Sequence, residues 1–363
     1  MTTNATTPAP DIAVCIGRFQ ILHNGHLAML RRALSLAPRC VVVLGSAFQA
    51  RTPRNPFTWE ERAATIRLAL PEADRDRIDF VPTRDYYDQA AWTRAVRQGV
   101  EALAGDPRAR IVLVGHRKDA TSAYLEDFPG WTLDDPGLLG DVHGTGLRDA
   151  YFAAAGHALE PALATLVAQV PPATLGFLRS WAELPAYADV AAEWRTLREE
   201  KARWAGAPYA PVFVTVDAVI RCAGKVLLIR RGRAPGRGLL AVPGGFLEPR
   251  ETVYQSALRE LAEETGLRLL PEDTAAALRA VHVFDHPDRS QRGRVITHAH
   301  YFDLGDRRLP EVAPDDDAAA TVWMPVGDIA AHEAEFHDDH FHMLDFFFGL
   351  TGEKSEGFRH SAQ

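Results

Sequence analysis

Apolar positions along the chain recur with two different periods, and the points where the period changes outline the fold. Ile12 to Ile16 and Val41 to Leu44 are short unbroken apolar runs, the pattern of strands buried on both faces. Between them, Leu27 to Leu36 carries its apolar residues at helical spacing. Strand, Gly-containing loop, helix, strand is a βαβ unit and predicts a parallel sheet. Thr58 and Glu61 have capping-box spacing and predict a helix start. Ile78 to Val81 and Ile111 to Val114 read as two more buried strands. From Ala153 to about Trp204 the chain is Ala-, Leu- and Glu-rich and reads as helical, broken at Pro171-Pro172 and Pro185. Beyond that the period shortens. Val212 to Ile220 and Val226 to Arg230 are β-rich and flank the turn Cys222-Ala223-Gly224-Lys225, which predicts a hairpin. Leu239 to Val242 leads into a Gly-rich loop, and Val281 to Phe284, Val295 to Phe302 and Ala318 to Met324 supply further strands. Thr252 to Thr265 is the one strongly helical stretch among them. Tyr254, Leu258 and Leu261 form its apolar stripe, and Gly266 is its stop.

This pattern predicts an α/β protein of two domains. The first is a Rossmann-like domain with a parallel sheet, and the second an α/β/α domain with a mixed sheet. The expected boundaries are a disordered leader at 1–10, a first domain at 11–185, a helical linker at 186–206, a second domain at 207–350 and a disordered tail at 351–363. The seam is sharpest over Ala205 to Pro211, which holds Gly206, Pro208 and Pro211. Length agrees, since 363 residues are too many for one compact core. Hydrophobic content of 47% and charged content of 24% are those of a soluble globular protein. A formal net charge of -8 speaks against a polyanion-coating protein, so no nucleic-acid partner is expected. No apolar run is long enough to span a bilayer, so no membrane partner is expected. Met1 to Pro10 lacks both basic residues and an apolar stretch and does not read as a signal peptide. Cys15, Cys40 and Cys222 are widely spaced with no CxxC, which fits buried thiols in a reducing, cytoplasmic setting.

The chemistry concentrates in two stretches. The second domain holds GFLEPRETVYQSALRELAEETGL, from Gly245 to Leu267. Glu260, Glu263 and Glu264 fall on one helical face, where carboxylates repel each other by a few tenths of a kcal/mol per exposed pair. A hard divalent cation reverses that sign, because it takes oxygen ligands and shares them with phosphates. Arg259 can pair with Glu251 and pin the loop to the helix. The bland reading is a solvated acidic face. With every spacing in place, the stretch resembles an intact Nudix box, the motif of hydrolases that cleave a nucleoside diphosphate linked to another moiety. The resemblance implies that Glu260, Glu263 and Glu264 carry Mg²⁺ or Mn²⁺, that an activated water attacks the diphosphate, that Glu251 and Arg259 are structural, and that Gly245 lies against the substrate. The loop Arg289-Ser290-Gln291-Arg292-Gly293-Arg294 is similar to one that precedes the corresponding strand in Nudix enzymes acting on ADP-ribose. It makes Arg289 and Arg292 candidate substrate contacts, with a solvated hairpin tip as the equal alternative. Asp315-Asp316-Asp317 is a candidate further ligand or base, or an ordinary acidic loop. His337, His340 and His342 read as part of a packing helix with Phe346-Phe347-Phe348 rather than as a metal site.

In the first domain the loop after the first strand reads Gly17-Arg18-Phe19-Gln20-Ile21-Leu22-His23-Asn24-Gly25-His26. A helix N-terminus favours anions through its free N–H groups and its dipole. His23, His26 and Arg18 at that spot make a pocket for a polyphosphate. GRFQxxHxGH resembles the nucleotidyltransferase superfamily, whose HxGH histidines contact ATP phosphates during adenylyl transfer. Ile21 stands where many members have Pro, so the fixed φ of Pro is missing there. His116 and Lys118 follow a strand end, where ligands bind in open α/β sheets. His143-Gly144-Thr145-Gly146-Leu147-Arg148 resembles the superfamily's second motif at Thr145 and Arg148 only. Arg148 would hold phosphates. The resemblance thus assigns Gly17, Arg18, Phe19, Gln20, His23, His26, His116, Lys118, Thr145 and Arg148 to the nucleotide. Tyr86, Asp88 and Trp92 are arranged as in nicotinamide mononucleotide (NMN) adenylyltransferases. There Trp92 either stacks on a cationic nicotinamide ring or packs in the core.

Taken together, the domain order resembles the bifunctional NMN adenylyltransferase/Nudix family of NAD metabolism. That resemblance implies ATP and NMN as substrates, NAD as product, and ADP-ribose as the substrate of the second domain. It leaves open another dinucleotide such as NADH, a non-catalytic ligand-sensing Nudix domain, or another phosphorylated acceptor such as phosphopantetheine for the first. A homo-oligomer is compatible with the sequence, which does not fix the oligomeric state.

Overall fold

Two sheets organise the chain, one in each half. The computed structural model describes residues 9–117, 124–138, 142–156, 159–315 and 318–352. Lys118, Asp316, Asp317, nearly all of the expected leader and the tail from 353 lie outside these. Packing divides the chain into Met1–Ala192 and Glu193–Gln363.

The first unit contains β1 (Ile12–Gly17), α1 (Asn24–Leu36), β2 (Arg39–Leu44), α2 (Trp59–Ala69), α3 (Glu72–Arg75), β3 (Ile78–Pro82), α4 (Gln89–Ala104), β4 (Ile111–Val114), β5 (Thr132–Asp134), α5 (Gly144–Ala153), α6 (Leu159–Leu166) and α7 (Pro172–Trp181). Its five strands pair in the order β3-β2-β1-β4-β5, all parallel. The order reverses between β1 and β4, and in such sheets the crevice beyond the strand ends at that point is where ligands bind. The loop after Gly17 and the loop after Val114 both open there. Strand residues alternate between two cores. Ala13, Cys15, Cys40 and Val42 pack with Leu27, Leu30 and Ile66 on one face. Val14, Val41 and Val43 pack with Val96 and Val100 on the other. Such two-sided burial explains why these strands read as unbroken apolar runs.

Helix α8 (Pro185–Arg203) runs unbroken through the division at Ala192/Glu193. The second unit continues with β6 (Val212–Cys222), β7 (Lys225–Arg231), β8 (Leu240–Ala241), β9 (Gly244–Phe246), α9 (Val253–Thr265), α10 (Pro271–Ala277), β10 (Leu278–Phe284), β11 (Arg294–Asp303), β12 (Ala318–Pro325), a 3-10 segment (Val326–Glu335) and α11 (His340–Phe348). The sheet order is β10-β11-β6-β7-β12, with β8 on β7 and β9 on β6. The β6–β11 pair is parallel and the rest antiparallel, so the sheet is mixed. Ala218, Ile220 and Leu227 pack under Leu261 of α9, while Val219, Val226 and Leu228 pack under Phe341 and Leu344 of α11. One helix thus covers each face. Among the described residues no helix is long and apolar enough to cross a membrane.

Candidate active sites

In the first unit, the loop after β1 is fastened before it meets any ligand. Phe19 is buried with a left-handed φ of 52°, and both ends of the Gln20 amide bond the backbone of Phe57, at 2.9 and 3.0 Å. The Gln20–Ile21 peptide is cis, and Ile21 is buried. The buried Arg62, which the sequence did not single out, donates to the carbonyls of Arg18 and Gly45 at 2.6 and 2.8 Å. It ties the ends of β1 and β2 together, and burial lowers its pKa to about 10, so it stays charged at neutrality. Gln20 and Phe19 therefore shape the loop. The Gln20 amide is engaged by the Phe57 backbone.

His23 is the N-cap of α1, its Nδ1 accepting from the His26 N–H at 3.4 Å, and the two rings stack at 3.6 Å. Burial pushes His23 down to about 4, with the nearby His143 adding to it. It also pushes His26 well below the usual range, helped by His23. At neutral pH both are uncharged imidazoles, and Nδ1 of His26 is buried without a hydrogen-bond partner. Arg148, on α5, supplies the charge instead. It donates to the Gln20 carbonyl and, at 3.1 Å, to the Thr145 hydroxyl. Gly144 makes this approach possible, since a Cβ there would sit 3.0 Å from that same carbonyl. Burial, then the charges of Arg18 and Arg54, lower Arg148 to about 10. The crevice therefore gathers two neutral histidines, three arginines and the N-termini of α1 and α5, with no carboxylate in its first motif. Such a place is short of negative charge and suits a polyphosphate.

The remaining candidates of this unit divide. His116 pairs with Asp135 at 2.9 Å at the end of β4. The carboxylate of Asp88 caps α4 through the Ala91 N–H at 2.8 Å, so it acts first on its own helix. Trp92 packs edge-on against Tyr124 and Phe128 at 5.4 and 5.9 Å, at the margin of the core. Its ring is half-buried, so packing covers part of it. Tyr86 is half-buried and Tyr87 exposed just before that helix.

The second unit inverts the charge balance. Thr252 and Gln255 form a capping box that starts α9, and Gly266 ends it with φ 67°. Arg259 bonds Glu251 at 2.9 Å, as its spacing predicts, and also Glu260 at 2.9 Å and Glu263 at 2.7 Å. Burial opposes its charge, but the three carboxylates more than offset this and raise its pKa. Two of the three expected metal ligands are thus held by one guanidinium. The third, Glu264, is buried and accepts from the Gly244 N–H at 2.9 Å. Burial raises it to about 8, with the charges of Glu260 and Asp217 adding to the effect.

Gly244 and Gly245 bring these groups together. A Cβ on Gly244 would lie 2.4 Å from the Asp217 carboxylate, and one on Gly245 would lie 2.5 Å from that of Glu260. Asp217, on β6, was missed by the sequence reading, because a lone Asp inside an apolar strand carries no spacing signal. It accepts from Thr297, and burial raises it to about 6. Among the described residues no three His, Cys, Asp or Glu stand ready-assembled around a cation. The donor set nonetheless fits a hard divalent ion. It offers only carboxylate oxygens, one of them held protonated by burial, around a dipeptide that has no side chains to block approach.

Arg289 and Arg292, equal candidates in the sequence, part company. Arg289 is buried and makes a two-pronged pair with Asp339 at 2.8 and 2.8 Å, the side chains 5% and 2% exposed. It is therefore not a solvated hairpin tip, and its Nε and one Nη hold Asp339 inside the unit. Arg292 lies over the Phe246 ring at 5.8 Å and 3.5 Å from Glu200, beside the Gly-rich loop. His337 is buried and His340 half-buried, and Nδ1 of His340 accepts from the Val242 N–H at 3.2 Å. They belong to the packing at the start of α11, as the bland reading has it. Asp315 is exposed, its backbone N–H bonding the Glu264 carbonyl at 3.3 Å.

Comparison with known proteins separates the same two halves. Residues 14–120 match the cytidylyltransferase-like family and residues 211–347 the NUDIX domain. A nicotinamide/nicotinic acid mononucleotide adenylyltransferase from Acinetobacter baylyi is 34% identical over 186 residues, 51% of this chain and 94% of that protein. An ADP-ribose pyrophosphatase from Methanocaldococcus jannaschii is 41% identical over 125 residues, 34% of this chain and 61% of that protein. The crystal structure of a bifunctional NMN adenylyltransferase/ADP ribose pyrophosphatase from Francisella tularensis superposes with a TM-score of 0.85 at 34% identity, covering 94% of this chain and 99% of that one. The same protein has also been solved with AMP and a manganese ion.

Proposed function

The chain belongs to the family of bifunctional NMN adenylyltransferase/ADP-ribose pyrophosphatases, and from that premise we propose how each unit carries its half of the chemistry. The first transfers AMP from ATP to NMN, giving NAD and pyrophosphate. An oxygen of the NMN 5′-phosphate bonds to the α-phosphorus of ATP as the bond to the β-phosphate oxygen breaks, and no covalent enzyme intermediate is needed. The protein's part is placement and charge. Arg18 and Arg148 supply positive charge, and Thr145 orients Arg148. His23, whose Nδ1 accepts from the His26 N–H, acts as a neutral hydrogen-bond donor through Nε2 at the entrance of α1, and His26 stacks beneath it. Tyr86 and the margin of Trp92 border the space for NMN.

The second unit hydrolyses ADP-ribose to AMP and ribose 5-phosphate and depends on a divalent cation. Mg²⁺ or Mn²⁺ held by Glu260, Glu263 and Glu264 would neutralise the diphosphate and activate a water. Arg259 keeps Glu260 and Glu263 in place, and Glu251 anchors Arg259. Gly244 and Gly245 leave room for the diphosphate against the carboxylates. Arg292 over Phe246 provides a cation and an aromatic face for the rest of the substrate.

The observation that carries this reading is the contrast between the two sites within one chain: buried arginines beside a first motif without carboxylates for ATP, and a carboxylate cluster for a metal. Its test is product analysis of the purified chain with Mg²⁺. ATP plus NMN should give NAD and pyrophosphate, and ADP-ribose alone should give AMP. ADP-ribose left intact beside normal NAD formation would overturn the assignment of the second site.

A further inference from the structure

In the second unit the Gly-rich loop beside the carboxylates runs directly into aromatic side chains. Where β9 pairs with β6, Gly244 lies opposite Asp217, Gly245 opposite Val216 and Phe246 opposite Thr215. Residues two apart on a strand share a face. One face of β6 therefore carries Asp217, Thr215 and Phe213 in line, with Phe246 beside Thr215. At about 3.3 Å per residue, Phe213 stands about 13 Å along the strand from Asp217. From there the rings continue outward. The Phe246 and Phe213 centroids are 5.9 Å apart at 69°, and those of Phe213 and Trp204 are 5.5 Å apart at 65°. Phe213 is half-buried between two exposed rings, Trp204 by 50% and Phe246 by 46%. Core packing does not account for such a row, since about half of each outer ring faces outward.

Trp204 directly follows α8. Its N–H bonds the Lys201 carbonyl at 3.2 Å and its carbonyl accepts from the Ala207 N–H at 3.0 Å, so the turn that presents the ring is closed by hydrogen bonds. Glu200, one helical turn earlier, stands 3.5 Å from Nε of Arg292, whose guanidinium lies over the Phe246 ring at 5.8 Å. That Nε is buried without a hydrogen-bond partner. The end of α8 thus brings an aromatic ring and a carboxylate to the border of the second site. The cation between them is left short of an acceptor.

We propose that Trp204, Phe213 and Phe246 form the base subsite of the second site, a shelf for the planar nucleobase of a nucleoside diphosphate. The inference rests on the reading of this unit as a diphosphate hydrolase. Position selects the ligand. A diphosphate at Gly244 and Gly245, against the carboxylates of α9, has one of its two substituents beside Phe246 and the face of β6. Chemistry selects which one. In ADP-ribose only the adenine has a π face, and the terminal ribose gains nothing from an aromatic row. Stacking reads a flat ring rather than its edge groups, so the shelf tolerates any nucleobase and favours the larger purines. It also fixes the orientation of the substrate: the AMP half lies toward Trp204 and the ribose 5-phosphate half lies away from it.

Steady-state hydrolysis of ADP-ribose by the full-length chain, with each product added as an inhibitor, tests this. Trp204→Ala should raise the KM for ADP-ribose about tenfold with kcat retained. Trp204→Phe should recover most of that loss, and Phe246→Leu should raise KM as well. In Trp204→Ala, inhibition by AMP should weaken by the same factor as substrate binding, while inhibition by ribose 5-phosphate should not move. The retained kcat shows that the unit is folded. A KM unmoved by both Trp204→Ala and Phe246→Leu would overturn the proposal, as would weakened inhibition by ribose 5-phosphate in place of AMP. A wild type that leaves ADP-ribose intact would fail the hydrolase reading separately. The shelf is then read by calorimetry as the difference in AMP affinity, with Mn²⁺ present, between wild type and Trp204→Ala. Any binding of AMP to the first unit is common to both, and equal affinities would overturn the shelf.

Discussion

The two sites solve the same problem, holding a phosphate chain, from opposite sides of the charge scale. In the first unit, burial has removed charge from the histidines and kept arginines: His23 falls to about 4, while Arg62 and Arg148 fall only to about 10 and remain cations. In the second, burial makes carboxylates harder to ionise, with Glu264 raised to about 8, so that it keeps its proton at neutrality, and Asp217 to about 6. One site is short of negative charge and the other has more carboxylates than it can ionise. The first is completed by its substrate's phosphates. In the proposed function the second is completed by a cation between its carboxylates and the diphosphate. The difference teaches that a phosphate site need not be basic. The sign of its buried groups indicates whether the protein or a metal neutralises the substrate.

The largest expected break in this contrast comes from Glu264→Gln. It is nearly isosteric and can still accept from the Gly244 N–H, but it cannot become a carboxylate. ADP-ribose hydrolysis should fall about a thousandfold. NAD formation from ATP and NMN should be unchanged, because the crevice at β1 and β4 is built entirely from the first unit. A parallel loss of both activities, read in the same preparation, would show that the sites do not work separately.

Arg289→Ala comes next, and it separates structure from substrate within one loop. Removing one partner of a buried ion pair leaves Asp339 charged and unpaired, at a cost of about 3–5 kcal/mol. Thermal unfolding of the second unit should shift down strongly. If stability were kept and only the KM for ADP-ribose rose, Arg289 would be a substrate contact after all.

What could be read from the sequence follows from how each feature is encoded. The strands and helices were legible because two-sided burial leaves unbroken apolar runs and α9 leaves a stripe at Tyr254, Leu258 and Leu261. The carboxylate cluster of α9 and the histidines at α1 were legible because spacing on one helix, or at one helix start, is a local property. Arg62 and Asp217 were not, since each matters through partners distant in the chain: Arg18 and Gly45 for one, Gly244 and Thr297 for the other. Arg289 and Arg292 show the same limit. Three residues apart, they look alike in sequence, and only the fold sends one to Asp339 and the other to Phe246. The partner of Arg289 lies 50 positions away, where periodicity has nothing to say. The bond between the Gln20 amide and Phe57, 37 positions away, was hidden for the same reason.

The smallest effect is the most direct test of the contrast, because the two sites should respond to pH with opposite sign. Unfolded His takes up its proton near 6.5, but folded His23 does not until about 4. Within that window the unfolded chain binds more protons, so His23 lowers stability as pH falls through it. Glu264 behaves in reverse. The unfolded carboxylate loses its proton near 4.5, whereas the folded one keeps it to about 8. Between those values the folded state binds more protons, so stability without metal falls as pH rises. From about 6.5 to 8 Glu264 acts without His23, and below 4.5 His23 acts without Glu264. The measurement is the difference in Tm between wild type and each of two variants across pH, in the absence of divalent cations. Glu264→Gln should gain on wild type by a few degrees as pH rises from 4.5 to 8. His23→Asn should gain on wild type as pH falls from 6.5 to 4. Added Mg²⁺ or Mn²⁺ should flatten the first gap and leave the second untouched, because the cation replaces the proton at one site only. Two gaps that moved in the same direction would mean that burial does not set the two sites' charges in opposite senses.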